Sequence, residues 1–416
     1  MQSSGGGGFN YSSTHHPSFQ ASAYSPQQPP GLLLSPQEYL VYDHAERCAY
    51  AVGAGETGAA ALVARVRALE ASPQADLGGG EPVVSGALVS SETRQQYEQH
   101  IQRCLDLISR GETYEVCLTT QFTGERRVGG RSYPGLQRHL DAYLQLRRRN
   151  PAPLASFFHF DPRRLPGGDE LSSSSGGGEA FSILSSSPER FLSCSDSGLL
   201  TSKPIKGTAK RCLSDPREDA LIALRLGSDE KALAENLMVL DLVRNDFGRV
   251  CAPGSVTVPR LMHVESYASV HQLVSTVQGR LRAGAGVADA IVATFPAGSM
   301  TGAPKVRTMD IIDSIEQRPR GIYSGSIGYI GYNGVADLNV VIRTALFRSR
   351  GDGDSVTVAG GGAVVAMSDP RAEVEEVLLK GRAVAAALGL TLDFKGDGAG
   401  DGVSSGSSSI EEVHAG

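Results

Sequence analysis

The run Ser202 to Lys210, SKPIKGTAK, restricts what the chain can fold into more than any other stretch. Pro204 fixes its own φ and pushes Lys203 toward extended geometry, while Gly207 permits a backbone conformation that other residues resist, so no helix runs through here. The segment presents Lys206 at a stiff turn. Of 39 Lys plus Arg only seven are Lys, at 203, 206, 210, 231, 305, 380 and 395, so where generic positive charge is needed this chain uses Arg. A lysine kept against that bias suits what Arg cannot do, which is to lose a proton and attack. Lys206 is therefore the candidate nucleophile. The competing reading is a solvated basic loop or a phosphate clamp.

With 416 residues and 40% apolar content the chain can bury a large core, in two or three domains or one large α/β unit. A net charge of -6 and the lack of a basic stripe with interleaved aromatics argue against nucleic acid. No run of about 18 apolar residues exists, so no membrane span is expected. The six cysteines form no C-x-x-C pair, which speaks against zinc and redox motifs, and they read as reduced thiols of an intracellular protein.

Residues 1–35 contain no Lys, Arg, Asp or Glu and are rich in Ser, Gly, Gln and Pro, a composition that cannot support a core. Disorder is expected there. A plastid transit peptide would also be acid-poor but should carry arginines, and the first here is Arg47, which leaves plastid and cytoplasm both open. The pattern G-x-G-x-x-G at Gly53 to Gly58 is read as a glycine turn, because no strand follows to carry the acidic residue a dinucleotide site needs. Two short strands flank an Asp-His turn within Tyr39 to Val52, and a helix is expected over Gly58 to Glu70.

From Ser91 the texture becomes regular. A helix capped by Ser91 and ending at Arg110, and strands over Thr113 to Phe122, Leu154 to Phe160 and Phe181 to Leu192, are expected. A low-complexity insertion occupies 162–179. Ser228 is read as the cap of a helix with Leu233, Leu237, Leu240 and Val243 on its apolar stripe and Glu235 off it. Later helices are expected at Val287 to Thr294, Pro304 to Ile315 and Pro370 to Leu388, with strands between, and a disordered tail at 394–416.

On the last helix Glu373 and Glu376 share a face with Lys380, four residues beyond Glu376. A solvated Glu-to-Lys pair explains that spacing; the alternative is that these carboxylates meet Glu235 around a divalent cation.

The runs SSSPERFL, KPIKGTAKR, AENLMVLDLVRNDFGRV, HVESYASVHQLVSTV, FPAGSMTGAPKVRTMDIID, RGIYSGSIGYIG, VIRTALF and AGGGAVV occur in this order. Together they resemble the chorismate-utilising enzymes, and among them the aminodeoxychorismate synthase component I branch of para-aminobenzoate and folate synthesis. The resemblance spans about 91–393, and 36–90 resembles only a shortened part of the family's N-terminal region. It implies an α+β fold, a layered α/β/β/α sandwich of antiparallel sheets covered by helices.

In this family anthranilate synthases carry PIAGT where aminodeoxychorismate synthases of this type carry PIKGT. The resemblance therefore implies that Lys206 adds to ring carbon 2 of chorismate as the carbon 4 hydroxyl leaves, after which ammonia attacks carbon 4 and expels the lysine. Attack needs a neutral amine, so a lowered pKa is expected for Lys206 from crowding by Lys203 and Lys210 or from desolvation. Glu189 is implied as the general acid, with its pKa raised against an apolar wall such as Phe191. Glu235, Glu373 and Glu376 are implied as Mg²⁺ ligands. Arg343 and Tyr323, with Gly325 nearby, are implied to grip the enolpyruvyl carboxylate. Thr208, His271, the amides of Gly360 and Gly362, and Lys380 complete the implied substrate contacts.

Two departures stand out. Ala232 occupies a position where many relatives have an acid, and DPRAEVEE is one residue longer than usual, so Glu373 matches less securely than Glu376. The chain has no GxCxG nucleophile elbow, so ammonia is expected from a glutamine amidotransferase partner or domain, or free in solution. The rival expectations are anthranilate or isochorismate synthesis, or a non-catalytic chorismate-binding paralogue.

Overall fold

The computed structural model describes residues 39–43, 48–52, 60–64, 67, 84–128, 135–161, 180–268, 270–350 and 353–396. The expected disordered start, the 162–179 insertion, the glycine run at Gly53 to Gly58 and nearly all of the expected tail lie outside them. The strands Tyr39–Asp43 and Cys48–Val52 form the expected antiparallel hairpin.

Two large sheets organise the described residues. In the nine-stranded sheet the order runs Thr391–Asp393, Ala87–Ser90, Glu115–Val128, Gly353–Val365, Thr344–Arg350, Phe181–Ser187 and Leu154–Phe160, with two short strands, Val84–Ser85 and Gly302–Ala303, added to Glu115–Val128. In the seven-stranded sheet it runs Ile205–Lys210, Val270–Arg280, Leu199–Lys203, Arg190–Cys194, Ala336–Asn339 and Gly328–Ile330, with Thr257–Ser266 also on Val270–Arg280. All pairings are antiparallel except Thr391–Asp393 with Ala87–Ser90. This is the expected α+β architecture.

Helices cover both sheets because each carries one apolar face. Arg94–Ser109, Gly135–Arg149, Lys305–Glu316 and Pro370–Ala387 pack on the nine-stranded sheet around Ile101, Leu146, Ile311 and Leu378. Glu230–Val250 and Val287–Thr294 pack on the seven-stranded sheet around Val239, Phe247 and Val277. Cys117 of the larger sheet belongs to this second cluster, so the sheets meet there.

Several local expectations change. The first long helix is capped by Thr93, not Ser91, because Thr93 and Gln96 bond each other's amides reciprocally, which a cap at Ser91 followed by Arg94 at the third position cannot do. A helix over Pro216–Gly227 was not expected; Asp215 caps it and Pro216 opens it. Ser228 closes that helix, and Asp229 caps Glu230–Val250. The buried face of Glu230–Val250 runs through Ala232, Asn236, Val239, Leu240 and Val243, while Leu237 is exposed. That face includes Asn236, which donates to the Leu273 carbonyl at 3.2 Å and so anchors the helix on the smaller sheet. Phe394, expected in a disordered tail, is buried against Tyr97 and Phe122 with ring centroids 5.5 Å from each. Burying such a ring contributes about 1.5–3 kcal/mol.

Candidate active site

Lys206 lies in the strand Ile205–Lys210, where the pairing with Val270–Arg280 shifts register between Ile205 and Thr208. Gly207 makes that irregularity feasible. Its φ is +84°, and a Cβ there would lie 2.9 Å from Ala232 Cβ and 3.0 Å from Leu226 Cδ1. Ala232 is thus packing on the lysine turn instead of supplying an acid. The turn directs the Lys206 ammonium inward, where Nζ donates to Glu115 Oε1 at 3.0 Å and stands 3.6 Å from Glu235 Oε2.

These neighbours reverse the expected titration. Burial alone pushes the Lys206 pKa down, but the Glu115 and Glu235 carboxylates outweigh it and the net direction is up. The lysines adjacent in sequence do not crowd it as expected. Lys203 turns away to Glu265, donating at 2.6 and 3.0 Å, and Lys210 is exposed.

Glu189 follows the strand Phe181–Ser187 and is buried. It lines a small cavity of about 20 Å³ with Phe191, Pro204, Val239, Val243 and Phe247. Burial raises its carboxyl to about 7, against the opposing pull of the Ser299 hydroxyl, the Lys206 ammonium and the Ile205 amide. Arg190 does not neutralise it, being committed to Asp337 at 2.8 and 2.9 Å.

Glu235 and the last helix are linked by a cation of the protein. Lys231 Nζ lies 4.0 Å from Glu235 Oε1 and 3.5 Å from Glu373 Oε1. Glu376, one turn along, binds Lys380, which also donates to the Gly361 carbonyl at 3.0 Å. Burial raises Glu235 and Glu373; for Glu376 burial is outweighed by Lys380, and its pKa falls. Glu373 Oε2 is buried without a hydrogen-bond partner among the described residues, and a Cβ on Gly362 would come within 2.9 Å of it. Among the described residues no three acidic, His or Cys side chains close around one point as a complete metal cage. The all-oxygen donors and the orphaned Glu373 oxygen fit a hard cation that takes one or two carboxylates and completes its shell with other oxygens.

Arg343 is the other feature built for an anion. Its backbone is left-handed, with φ +52°, and among the described residues its guanidinium pairs with no carboxylate. Arg343 is half-buried, and burial pushes its pKa down by more than nearby Tyr323 and Glu376 raise it. Tyr323 is buried beside it, its hydroxyl 3.4 Å from where a Cβ on Gly361 would sit. Gly325 forms a tight turn under Tyr323, its amide donating to Ile322 O at 3.1 Å. Gly360 and Gly362 pair with Thr120 and Leu118 on one edge, while the other neighbouring strand stops pairing at Val358. A larger cavity of about 180 Å³ borders Tyr323, Arg320 and Thr344 but none of Lys206, Glu189 or the helix glutamates.

Not every expected residue joins this group. Thr208 is exposed on the lysine strand. His271 is buried with both ring nitrogens engaged, Nδ1 with Ser266 Oγ at 2.8 Å and Nε2 with Asp219 Oδ1 at 3.0 Å. Conversely, sequence reasoning missed Glu115 and Lys231. For Lys231 the signal was its spacing four residues before Glu235; for Glu115, a lone acid opening a strand, there was none.

A family profile described as chorismate binding enzyme matches residues 2–386. The chain is 47% identical over 302 residues to the chloroplastic aminodeoxychorismate synthase of Arabidopsis thaliana, covering 73% of this chain and 30% of that protein. It is 40% identical over 291 residues to aminodeoxychorismate synthase component 1 of Escherichia coli, covering 70% and 57%. The chain thus spans roughly a third to a little over half of these relatives. The fold is similar to that of anthranilate synthase component I from Streptococcus pneumoniae, with a TM-score of 0.67 and 27% identity over 84% of this chain and 72% of that one. With the family profile running through both sheets, the lysine turn and the glutamates of the two helices, this chain belongs to the chorismate binding enzymes.

Proposed function

We propose that the chain converts chorismate and ammonia to 4-amino-4-deoxychorismate, with Lys206 as nucleophile. The observation that carries this is the inward-facing Lys206 amine, held at 3.0 Å by Glu115, on the PIKGT turn. The identity to proteins named aminodeoxychorismate synthase supports it further.

In this mechanism Lys206 first releases its ammonium proton to solvent; the neutral amine then forms a bond to ring carbon 2, the ring double bond shifts, and the hydroxyl on carbon 4 leaves as water with a proton from Glu189. A carboxyl held to about 7 keeps that proton at neutral pH and can give it up. Ammonia then attacks carbon 4 and the lysine departs, so one difficult displacement becomes two easier ones. Arg343, with Tyr323, pairs with one substrate carboxylate; a half-buried guanidinium that pairs with no carboxylate among the described residues is suited to that bidentate contact.

Mg²⁺ held by Glu235 and Glu376, with Glu373 beside them, would neutralise the second carboxylate and cancel part of the field that keeps Lys206 protonated. The remaining contacts assigned to Gly325, Gly360, Gly362 and Lys380 belong to the same reading, which leaves out the expected contacts of exposed Thr208 and of His271, whose ring nitrogens are engaged by Ser266 and Asp219. Ammonia comes from a glutamine amidotransferase partner or domain. The chloroplastic name of the plant relative supports a plastid location. No helix among the described residues is long and apolar enough to cross a membrane.

The test is turnover with chorismate, Mg²⁺ and ammonium, the product identified by mass. Aminodeoxychorismate is expected. Anthranilate or isochorismate as product, or none, overturns the proposal.

A further inference from the structure

We propose that Glu115 is a positioning residue that holds the Lys206 amine clear of Glu235, leaving Glu235 available to a divalent cation. The inference rests on the reading above of Lys206 as nucleophile and Glu235 as metal ligand, and it assigns a role to Glu115, which that reading uses only as the hydrogen-bond partner of Lys206.

Glu115 is 1% exposed and opens the strand Glu115–Val128. Its backbone is fixed on both sides, paired with Ala303 on one strand and Val365 on the other. The Thr113 hydroxyl, shared with the Ala303 carbonyl, also donates to the Glu115 carbonyl at 3.0 Å. The backbone that carries the carboxylate is therefore fixed, and the lysine, on its longer flexible stem, comes to it. Oε1 accepts from Nζ at 3.0 Å, and Oε2 is buried with no hydrogen-bond partner among the described residues. A buried carboxylate in this state is strongly committed to its one neutralising ammonium.

Glu235 is the second carboxylate within reach of the same ammonium, at 3.6 Å, beyond hydrogen-bond length. Glu115 thus wins the contest for the amine. If it did not, the ammonium would close on Glu235 and occupy the oxygen that a cation needs, and its like charge would repel the cation. Holding the amine to one side solves two problems together. The nucleophile stays in the pocket, and the metal carboxylate stays open.

A double-mutant cycle on the full chain tests this, with Mn²⁺ binding followed by electron paramagnetic resonance as the readout. Mn²⁺ is a hard divalent probe for an oxygen site. Glu115→Gln keeps the shape and removes the charge. It is expected to weaken Mn²⁺ binding about tenfold when Lys206 is present and less than about threefold in the Lys206→Ala background, because coupled neighbours are non-additive. Loss of nearby negative charge alone, or a purely structural role, would weaken binding equally in both backgrounds, and that result overturns the proposal. Glu115→Asp retains the charge one methylene back; an intermediate loss with the same dependence on Lys206 is expected, and it carries the test if the Gln variant does not fold. Absence of Mn²⁺ binding in the unmodified chain would overturn the metal reading and this proposal together, whereas additive losses overturn this proposal alone.

Discussion

The ion pair between Lys206 and Glu115 joins the two sheets: the seven-stranded sheet supplies the amine, the nine-stranded sheet the carboxylate, and 3.0 Å separates them. The candidate site is therefore a property of how the sheets pack. Its residues are 91 positions apart in the chain, and each is anchored by its own ladder.

Lys206→Ala removes the group that forms the proposed covalent bond while leaving Arg343 and the glutamates in place. Turnover is expected to fall by about a thousandfold or more, since removing a nucleophile abolishes the split pathway. Chorismate affinity measured by equilibrium titration is expected to change by less than about threefold, because an interaction used only in the transition state does not set ground-state binding.

Glu189 is held to about 7, so its acid form prevails below that pH and is lost above it. Turnover is expected to decline as pH rises through about 7. Glu189→Gln should lower kcat by about 10²–10⁴-fold, the usual worth of a positioned general acid, and flatten that alkaline limb. A limb that survives unchanged in the variant assigns it to another group.

Arg343 offers a case where stability and binding part company. Its guanidinium is half-buried and pairs with no carboxylate among the described residues, a cost to the folded protein. Arg343→Met is expected to leave Tm unchanged or raise it, while chorismate affinity falls by about 10- to 100-fold through the lost charged hydrogen bonds. Thermal melts and substrate titration read the two effects separately.

Gly207→Ala tests the lysine turn itself. The left-handed φ of +84° and the contacts that a Cβ would make with Ala232 and Leu226 both oppose a side chain. A loss of about 1–3 kcal/mol is expected from strain of this kind, seen as a lower denaturant midpoint. Residual activity should fall further than stability, because the displaced backbone carries Lys206.

Much of this site was legible in the chain because its strongest signals are local. Pro204 and Gly207 bracket Lys206, and Glu373, Glu376 and Lys380 share one helical face. The element types followed from periodicity, and the span of Val287–Thr294 matched. What escaped were relationships between distant strands. The direction of the Lys206 shift was misjudged because Lys203 and Lys210 are neighbours in sequence, whereas the fold sends Lys203 to Glu265 and brings in Glu115 from the other sheet. The stripe of Glu230–Val250 was misphased for a similar reason: Asn236 is buried by its bond to Leu273 on another element, so a polar residue occupies the face that hydrophobicity alone assigned to leucines.

A covalent bond between Lys206 and the substrate is open to detection by mass spectrometry. The full chain is mixed with chorismate and Mg²⁺ without ammonia, quenched and digested. An added mass equal to chorismate less one water is expected, mapped to the peptide containing Lys206 and dispersed by later addition of ammonium. Aminodeoxychorismate formation without any such adduct, or with the adduct on another residue, would contradict it.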